Sequence, residues 1–269
     1  MLASRWFSSE AIEIVILAQG AQRRLGNHAG PRQLLPLPSC GGAPILSRTL
    51  RQLGEMYLQE SAAHPRDLPS APVVTVVAES SLTDALFKVA KWPIYTASVE
   101  LPVPGNSALK GIARYLELRE SQGHRYQRTI VLLGDVVYSW DCLLEIWDMS
   151  QKYGFVGTKN LSLSKGDLWG AGWSRPYEDW MLTNLRDALL RRPPFDDDPE
   201  PSQLRRWISG MQRGDLADHI VRLRWAAHYA DADDYTHDID VAHDLVLLPE
   251  LSSLAAKDDA EHGVFWTNP

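Results

Sequence analysis

Near the start of the chain an apolar run, Ile12 to Ala18, is followed at once by Gly20, Arg23, Arg24 and Gly26. Glycines let the backbone come close to a ligand, and successive loop amides make a concavity for an anion. An arginine in such a loop grips phosphate oxygens through two parallel charge-assisted bonds. The chemistry this suits is phosphate binding over the loop from Gln19 to Arg32. A second chemistry-bearing residue is Asp135, which follows Gly134 at the end of the β-branched run Thr129 to Leu133. A carboxylate there is a hard oxygen donor for Mg²⁺ beside phosphates, or else it caps the following turn. A third group, His237, Asp238, Asp240, His243 and Asp244, has two readings: an acidic helix start favoured by the macrodipole, or a source of metal ligands. Mg²⁺ prefers oxygen, which points to the aspartates over the histidines. Asp196 to Asp198 read as a solvated loop, and no nucleophile motif of the G-x-S-x-G kind is present.

These residues need elements to hold them. Ile12, Ile14 and Ile16 alternate with Glu13 and Val15, which predicts a strand buried on at least one face. Helical spacing of Ile45, Leu46, Thr49, Leu50, Leu53 and Met56 predicts a helix to Glu60 opened by Pro44. Further strands are predicted at Val73 to Ala78, Ile94 to Ala97, Thr129 to Leu133, Gly154 to Gly157 and Trp169 to Trp173. Further helices are predicted at Ser81 to Val89, from an Asn106 cap to Arg119, at Tyr177 to Leu190 and at Gln203 to Met211. Strands and helices alternating at this spacing predict a three-layer α/β sandwich around a mostly parallel twisted sheet. Ligands of such folds sit at the carboxyl edge of the strands, where the Gln19 loop and Asp135 fall.

Composition narrows the partners. With 27 Lys and Arg against 34 Asp and Glu, the net charge is −7, which argues against a general nucleic-acid or anionic-membrane partner. No segment approaches the ~20 apolar residues of a membrane span. The two cysteines, Cys40 and Cys142, have no zinc-ligand spacing and read as reduced structural thiols, so the expected location is the cytoplasm. Trp140, Trp147, Trp180, Trp207 and Trp225 read as packing residues. Trp169 and Trp173 have two readings, core packing or stacking on an apolar sugar face.

The segment from Ile14 to Leu50 resembles the opening of the sugar-phosphate nucleotidyltransferase superfamily, which shares the nucleotide-diphospho-sugar transferase (GT-A-like) fold. That opening runs L-A-x-G-x-G-x-R, then P-K-x-L-L-P, then a helix beginning P-I-L. It is matched by Leu17, Ala18, Gly20, Arg24, Pro31, Leu34, Leu35, Pro36, Pro44, Ile45 and Leu46. Two positions depart: Gln22 replaces the second loop glycine, and Arg32 replaces the lysine after proline. Asp135 matches the aspartate of a G-D motif, and Asp238 to Leu245 resembles D-[IV]-D-T-P-E-D-L, with Val241 for threonine and Ala242 for proline.

The resemblance implies an enzyme that moves a nucleoside monophosphate from a nucleoside triphosphate to a phosphorylated acceptor, a sugar phosphate or similar, with release of pyrophosphate. It implies Arg24, Arg32 and Asp135 as the catalytic group, with Mg²⁺, or alternatively Mn²⁺, held by Asp135 and Asp240. It implies Leu17, Ala18, Gln19 and Gly20 as nucleotide-binding residues, residues 1–150 as the nucleotide-binding half, and 151–269 as an acceptor-binding insertion and C-terminal helices within the same domain. Gly105, Asn106 and Ser107 match an element that admits the base, and Ala78 and Glu79 end the strand expected to face base or ribose. Lys159 and Lys165 are the candidates for the acceptor phosphate. Two alternatives stay open: a GT-A-type glycosyltransferase using a nucleotide-sugar donor, which Gln22 favours, and a non-catalytic nucleotide-binding homologue.

Overall fold

The structure is a computed structural model and describes residues 12–18, 32–63, 72–77, 96–99, 108–158, 168–190, 229–232, 234–239 and 242–266. Seven strands form one sheet: β1 (Ile12–Leu17), β4 (Val73–Val77), β5 (Thr96–Val99), β6 (Arg128–Leu133), β8 (Tyr153–Thr158), β9 (Leu168–Ser174) and β10 (Tyr229–Ala232), in the order β10-β8-β9-β6-β1-β4-β5. β1 pairs in parallel with β4 and β6, β4 with β5, and β10 with β8, whereas β9 is antiparallel to both β6 and β8. Six strands therefore share one direction and β9 alone opposes them. The expected mostly parallel sheet is present, and strands from both halves of the chain build it.

Side chains alternate across β1, and the two faces meet different helices. Ile12, Ile14 and Ile16 pack with Leu46, Leu50, Leu53 and Met56 of α1 (Ile45–Ala63) and Cys142, Leu143, Ile146 and Trp147 of α3 (Trp140–Met149). Val15 and Leu17 pack on the other side with Ile112, Tyr115 and Leu116 of α2 (Ala108–Ser121) and Met181, Leu182 and Leu185 of α4 (Glu178–Leu190). The three layers follow from this period of two. Each fully buried aliphatic side chain contributes about 1.5–3 kcal/mol relative to exposure. On β9, a Cβ at Gly172 would lie 2.9 Å from the Ser150 Cα, so glycine there lets the end of α3 rest against the strand.

Trp169 and Trp173 are both core residues, 2% and 0% exposed, and are unavailable for stacking on a sugar. They pack on opposite faces of the sheet, with Trp169 at an irregularity in the β8–β9 register beside Val156 and Gly157. Trp140 and Trp147 are buried as expected, but Trp180 is 45% exposed. The inward positions of α4 belong to Met181, Leu182 and Leu185, and the Trp180 ring lies 5.2 Å from that of Tyr153. Residues 81–89, 203–211, Trp207 and Trp225 lie outside the described residues. Among the described residues, no helix is long and apolar enough to cross a membrane.

Two buried charge networks brace this architecture. Glu13 shares the α2/α4 face with Val15 and Leu17, where it takes hydrogen bonds from Tyr115 and Arg119, and Arg119 reaches on to Glu178. Burial pushes the Glu13 carboxyl above its usual range, with Arg119 and the Tyr115 hydroxyl pulling the other way. On the opposite face Arg48 of α1 holds both carboxylate oxygens of Asp259, at 2.9 and 2.7 Å, and the Tyr235 hydroxyl at 3.0 Å. Asp259 belongs to α5 (Asp244–Glu261), so this network ties α1, α5 and the segment leading to Ile239 together.

Candidate active site

The carboxyl ends of β1, β4 and β6 come together through hydrogen bonds that continue past the strands. The Ala18 amide donates to the Val77 carbonyl at 2.9 Å, and the Gly134 amide to that of Leu17 at 2.9 Å. Gly134 is where the turn presses on β1: a Cβ there would lie 3.1 Å from the Leu17 carbonyl oxygen and 3.2 Å from the Ala18 Cβ. Leu17 and Ala18, both expected at the nucleotide, are buried at this edge. Tyr138 clamps the turn that follows, its hydroxyl accepting from the Leu133 amide at 2.9 Å and donating to the Trp169 carbonyl at 2.6 Å. Burial holds this phenol well above its ordinary pKa, so it serves as a neutral brace.

Asp135 stands on that turn, next to Gly134. Arg32 meets it: one guanidinium nitrogen lies 3.0 Å from Asp135 Oδ2, with the two side chains 9% and 11% exposed. A second nitrogen of the same guanidinium donates to the Ile239 carbonyl at 3.3 Å. Arg32 is placed by a single 3₁₀ turn, Arg32–Leu34, which is tied to α1 by the Ile45 amide donating to Leu35 at 3.0 Å. The short ladder of β2 (Pro36–Leu37) and β3 (Ala43–Pro44) completes the link, so the turn that carries Arg32 is anchored to the start of α1.

The C-terminal segment reaches the same place by a second short ladder. β11 (His237–Asp238) pairs antiparallel with β7 (Val136–Val137), and the Ile239 amide then donates to the Asp135 carbonyl at 3.2 Å. Thr236 Oγ1 accepts from the Ser139 amide at 3.0 Å one step earlier. His237 lies 3.4 Å from Asp244 and so faces the start of α5. Of the residues expected at the site, Leu17, Ala18, Arg32 and Asp135 converge. Gln19, Gly20, Arg24, Ala78, Glu79, Gly105, Asn106, Ser107, Lys159, Lys165 and Asp240 lie outside the described residues.

Among the described residues, no three His, Cys, Asp or Glu side chains gather into a cage. A buried aspartate at the strand edge fits Mg²⁺ or Mn²⁺, which keep water and phosphate oxygens in most positions. The Arg32–Asp135 contact had no signature in sequence beyond two residue types of opposite charge. Neither did the part played by Ile239, which acts through its backbone.

No protein-family model matches the chain, and no curated protein matches it. Solved structures do share its architecture. A nucleotidyl transferase from a Methanothermobacter species superposes at TM-score 0.53 and 14% identity, over 91% of this chain and 98% of that one. A 4-diphosphocytidyl-2C-methyl-D-erythritol synthase from Anaerococcus prevotii gives 0.52 and 11%, over 91% and 96%. Rv0371c from Mycobacterium tuberculosis gives 0.50 and 15%, over 90% and 99%. The chain has the nucleotide-diphospho-sugar transferase fold, with its mostly parallel sheet between two helical layers.

Proposed function

We propose that this chain is a nucleotidyltransferase, moving a nucleoside monophosphate from a nucleoside triphosphate to a phosphorylated acceptor such as a sugar phosphate. The observation that carries the reading is the buried Arg32–Asp135 pair at the carboxyl edge of β1 and β6, where Gly134 packs against Leu17 and Ala18. Likeness of fold to a nucleotidyl transferase and to a diphosphocytidyl-methylerythritol synthase supports it.

In this reading an oxygen of the acceptor phosphate attacks the α-phosphorus. The new O–Pα bond forms as the bond to pyrophosphate breaks, and the electron pair leaves with pyrophosphate. The chain supplies positioning and charge. Arg24 and Arg32 hold the β- and γ-phosphate oxygens, where negative charge grows in the transition state. Gln19 and Gly20 present backbone to the phosphates, Gly105, Asn106 and Ser107 admit the base, and Ala78 and Glu79 border the ribose. Residues 151–269 carry the acceptor region, with Lys159 or Lys165 on its phosphate. Asp135 and Asp240 hold Mg²⁺ or Mn²⁺, which when bound neutralises charge on the phosphate oxygens. Two buried reduced thiols, Cys40 and Cys142, suit a cytoplasmic setting.

Gln22, in place of a loop glycine, favours a second reading, a glycosyltransferase whose nucleotide-sugar donor needs less of a triphosphate cradle. Calorimetry with NMP, NDP, NTP and several NDP-sugars, on wild type and Arg24→Ala, separates the two. The nucleotidyltransferase reading expects NTP to bind best and Arg24→Ala to weaken it by about 1.5–3 kcal/mol, with NMP barely affected. A preference for NDP-sugar that ignores Arg24 favours the second reading.

A further inference from the structure

We propose that Arg32 is an exchangeable counter-ion: in the nucleotide-free protein its guanidinium occupies the cation side of Asp135, and it gives up that place when a triphosphate and a divalent cation bind. The inference rests on the reading of Asp135 as a metal ligand.

The geometry is that of an arginine and not of a lysine. One nitrogen of the planar fork contacts Asp135 Oδ2 at 3.0 Å while another donates to the Ile239 carbonyl at 3.3 Å. A compact ammonium on a flexible stem has no fixed fork with which to span those two acceptors. The Ile239 amide in turn donates to the Asp135 carbonyl, so Arg32 closes a ring linking the turn after β6 to the segment that runs on to Asp240. Both side chains are largely withdrawn from water, and a buried carboxylate needs a partner. Arg32 supplies such a partner.

A monovalent and a divalent cation cannot share one buried carboxylate cheaply. At the effective dielectric of ~20 that suits such sites, their repulsion a few ångström apart exceeds thermal energy several-fold. Metal binding to the free protein is therefore opposed by Arg32. An arriving triphosphate offers Arg32 a richer set of oxygens, drawing it off Asp135 and opening the carboxylate to the cation. Nucleotide and metal then bind cooperatively through one side chain, and by linkage the coupling is reciprocal. The arginine in place of lysine acquires a role: it keeps Asp135 neutralised until substrate arrives.

The test is Mn²⁺ titration of the nucleotide-free protein, by calorimetry and by electron paramagnetic resonance, in wild type, Arg32→Met, Arg32→Lys and Asp135→Asn. Arg32→Met is expected to bind Mn²⁺ at least about tenfold more tightly than wild type, with Arg32→Lys between them. The gain disappears in Arg32→Met/Asp135→Asn. Mn²⁺ affinity unchanged by Arg32→Met, with binding still lost in Asp135→Asn, overturns the proposal and leaves Asp135 as the ligand. Affinity that ignores Asp135→Asn in both backgrounds overturns the metal-ligand reading instead. A wild-type measurement guards against a variant that fails to fold. The Arg32 Nε–H signal, assigned by its absence in Arg32→Lys, should move on adding MgCl₂ with a non-hydrolysable NTP, and an unmoved signal contradicts the exchange.

Discussion

Glu13 on β1 and Arg119 on α2 form an ion pair whose side chains are 0% and 2% exposed, joined by a second carboxylate, Glu178 of α4. It locks one helical layer to the central strand whose other end leads into the segment proposed to bind phosphate. Removing Glu13 leaves the buried Arg119 with one carboxylate, Glu178, in place of two. Glu13→Ala should lower the unfolding free energy by about 3–5 kcal/mol, and Glu13→Leu/Arg119→Met should recover much of that loss. Urea denaturation of the single and double variants checks both. A single variant within about 0.5 kcal/mol of wild type contradicts the assignment.

The two thiols give a pH prediction. Burial pushes Cys40 up to about 11 and Cys142 up to about 12, from an ordinary value of 9.0. Above pH ~9 the unfolded chain therefore loses these protons first, binds fewer than the folded one, and stability falls as pH rises toward the folded values. Urea midpoints between about pH 8 and pH 10 should fall more steeply for wild type than for Cys142→Ala. Neither thiol should react rapidly with a disulfide reagent at pH ~8 until the protein is unfolded. A fast-reacting thiol in the folded protein contradicts this burial.

Much of the sheet was legible because local pattern decides it. Ile12, Ile14 and Ile16 alternate, Thr129 to Leu133 is strand-like, and Leu46, Leu50, Leu53 and Met56 recur at helical spacing; the two strands came out within a residue of expectation, and the helix ran three residues past Glu60 to Ala63. What depends on partners far along the chain was hidden. The reversed direction of β9 is set by its pairing between β6 and β8, and the two-residue ladder of β7 with β11 is too short to leave a period. Glu13 looked like the polar side of a half-buried strand, because Arg119, 106 positions later, leaves no local trace at β1. At the site, Arg32 and Asp135 were legible as types, while their direct contact depends on the anchored turn that carries Arg32.

Asp135→Asn keeps the size of the side chain and removes its charge. Turnover should fall at least about a hundredfold, with no loss of nucleotide affinity in EDTA. The same substitution leaves Arg32 without its ionic partner, so the free protein should also lose stability in thermal melting. Equal loss of metal-free nucleotide binding would show that Asp135 holds the loop and not the cation.

The central claim is that pyrophosphate is the leaving group. The direct measurement is pyrophosphate release from each of the four NTPs with Mg²⁺ across a panel of phosphorylated acceptors, with the nucleotide product identified by mass spectrometry. Pyrophosphate in step with an NMP–acceptor conjugate is expected for at least one pair, lost in Asp135→Asn. Release of NDP from a nucleotide-sugar, with no pyrophosphate from any NTP, would contradict it.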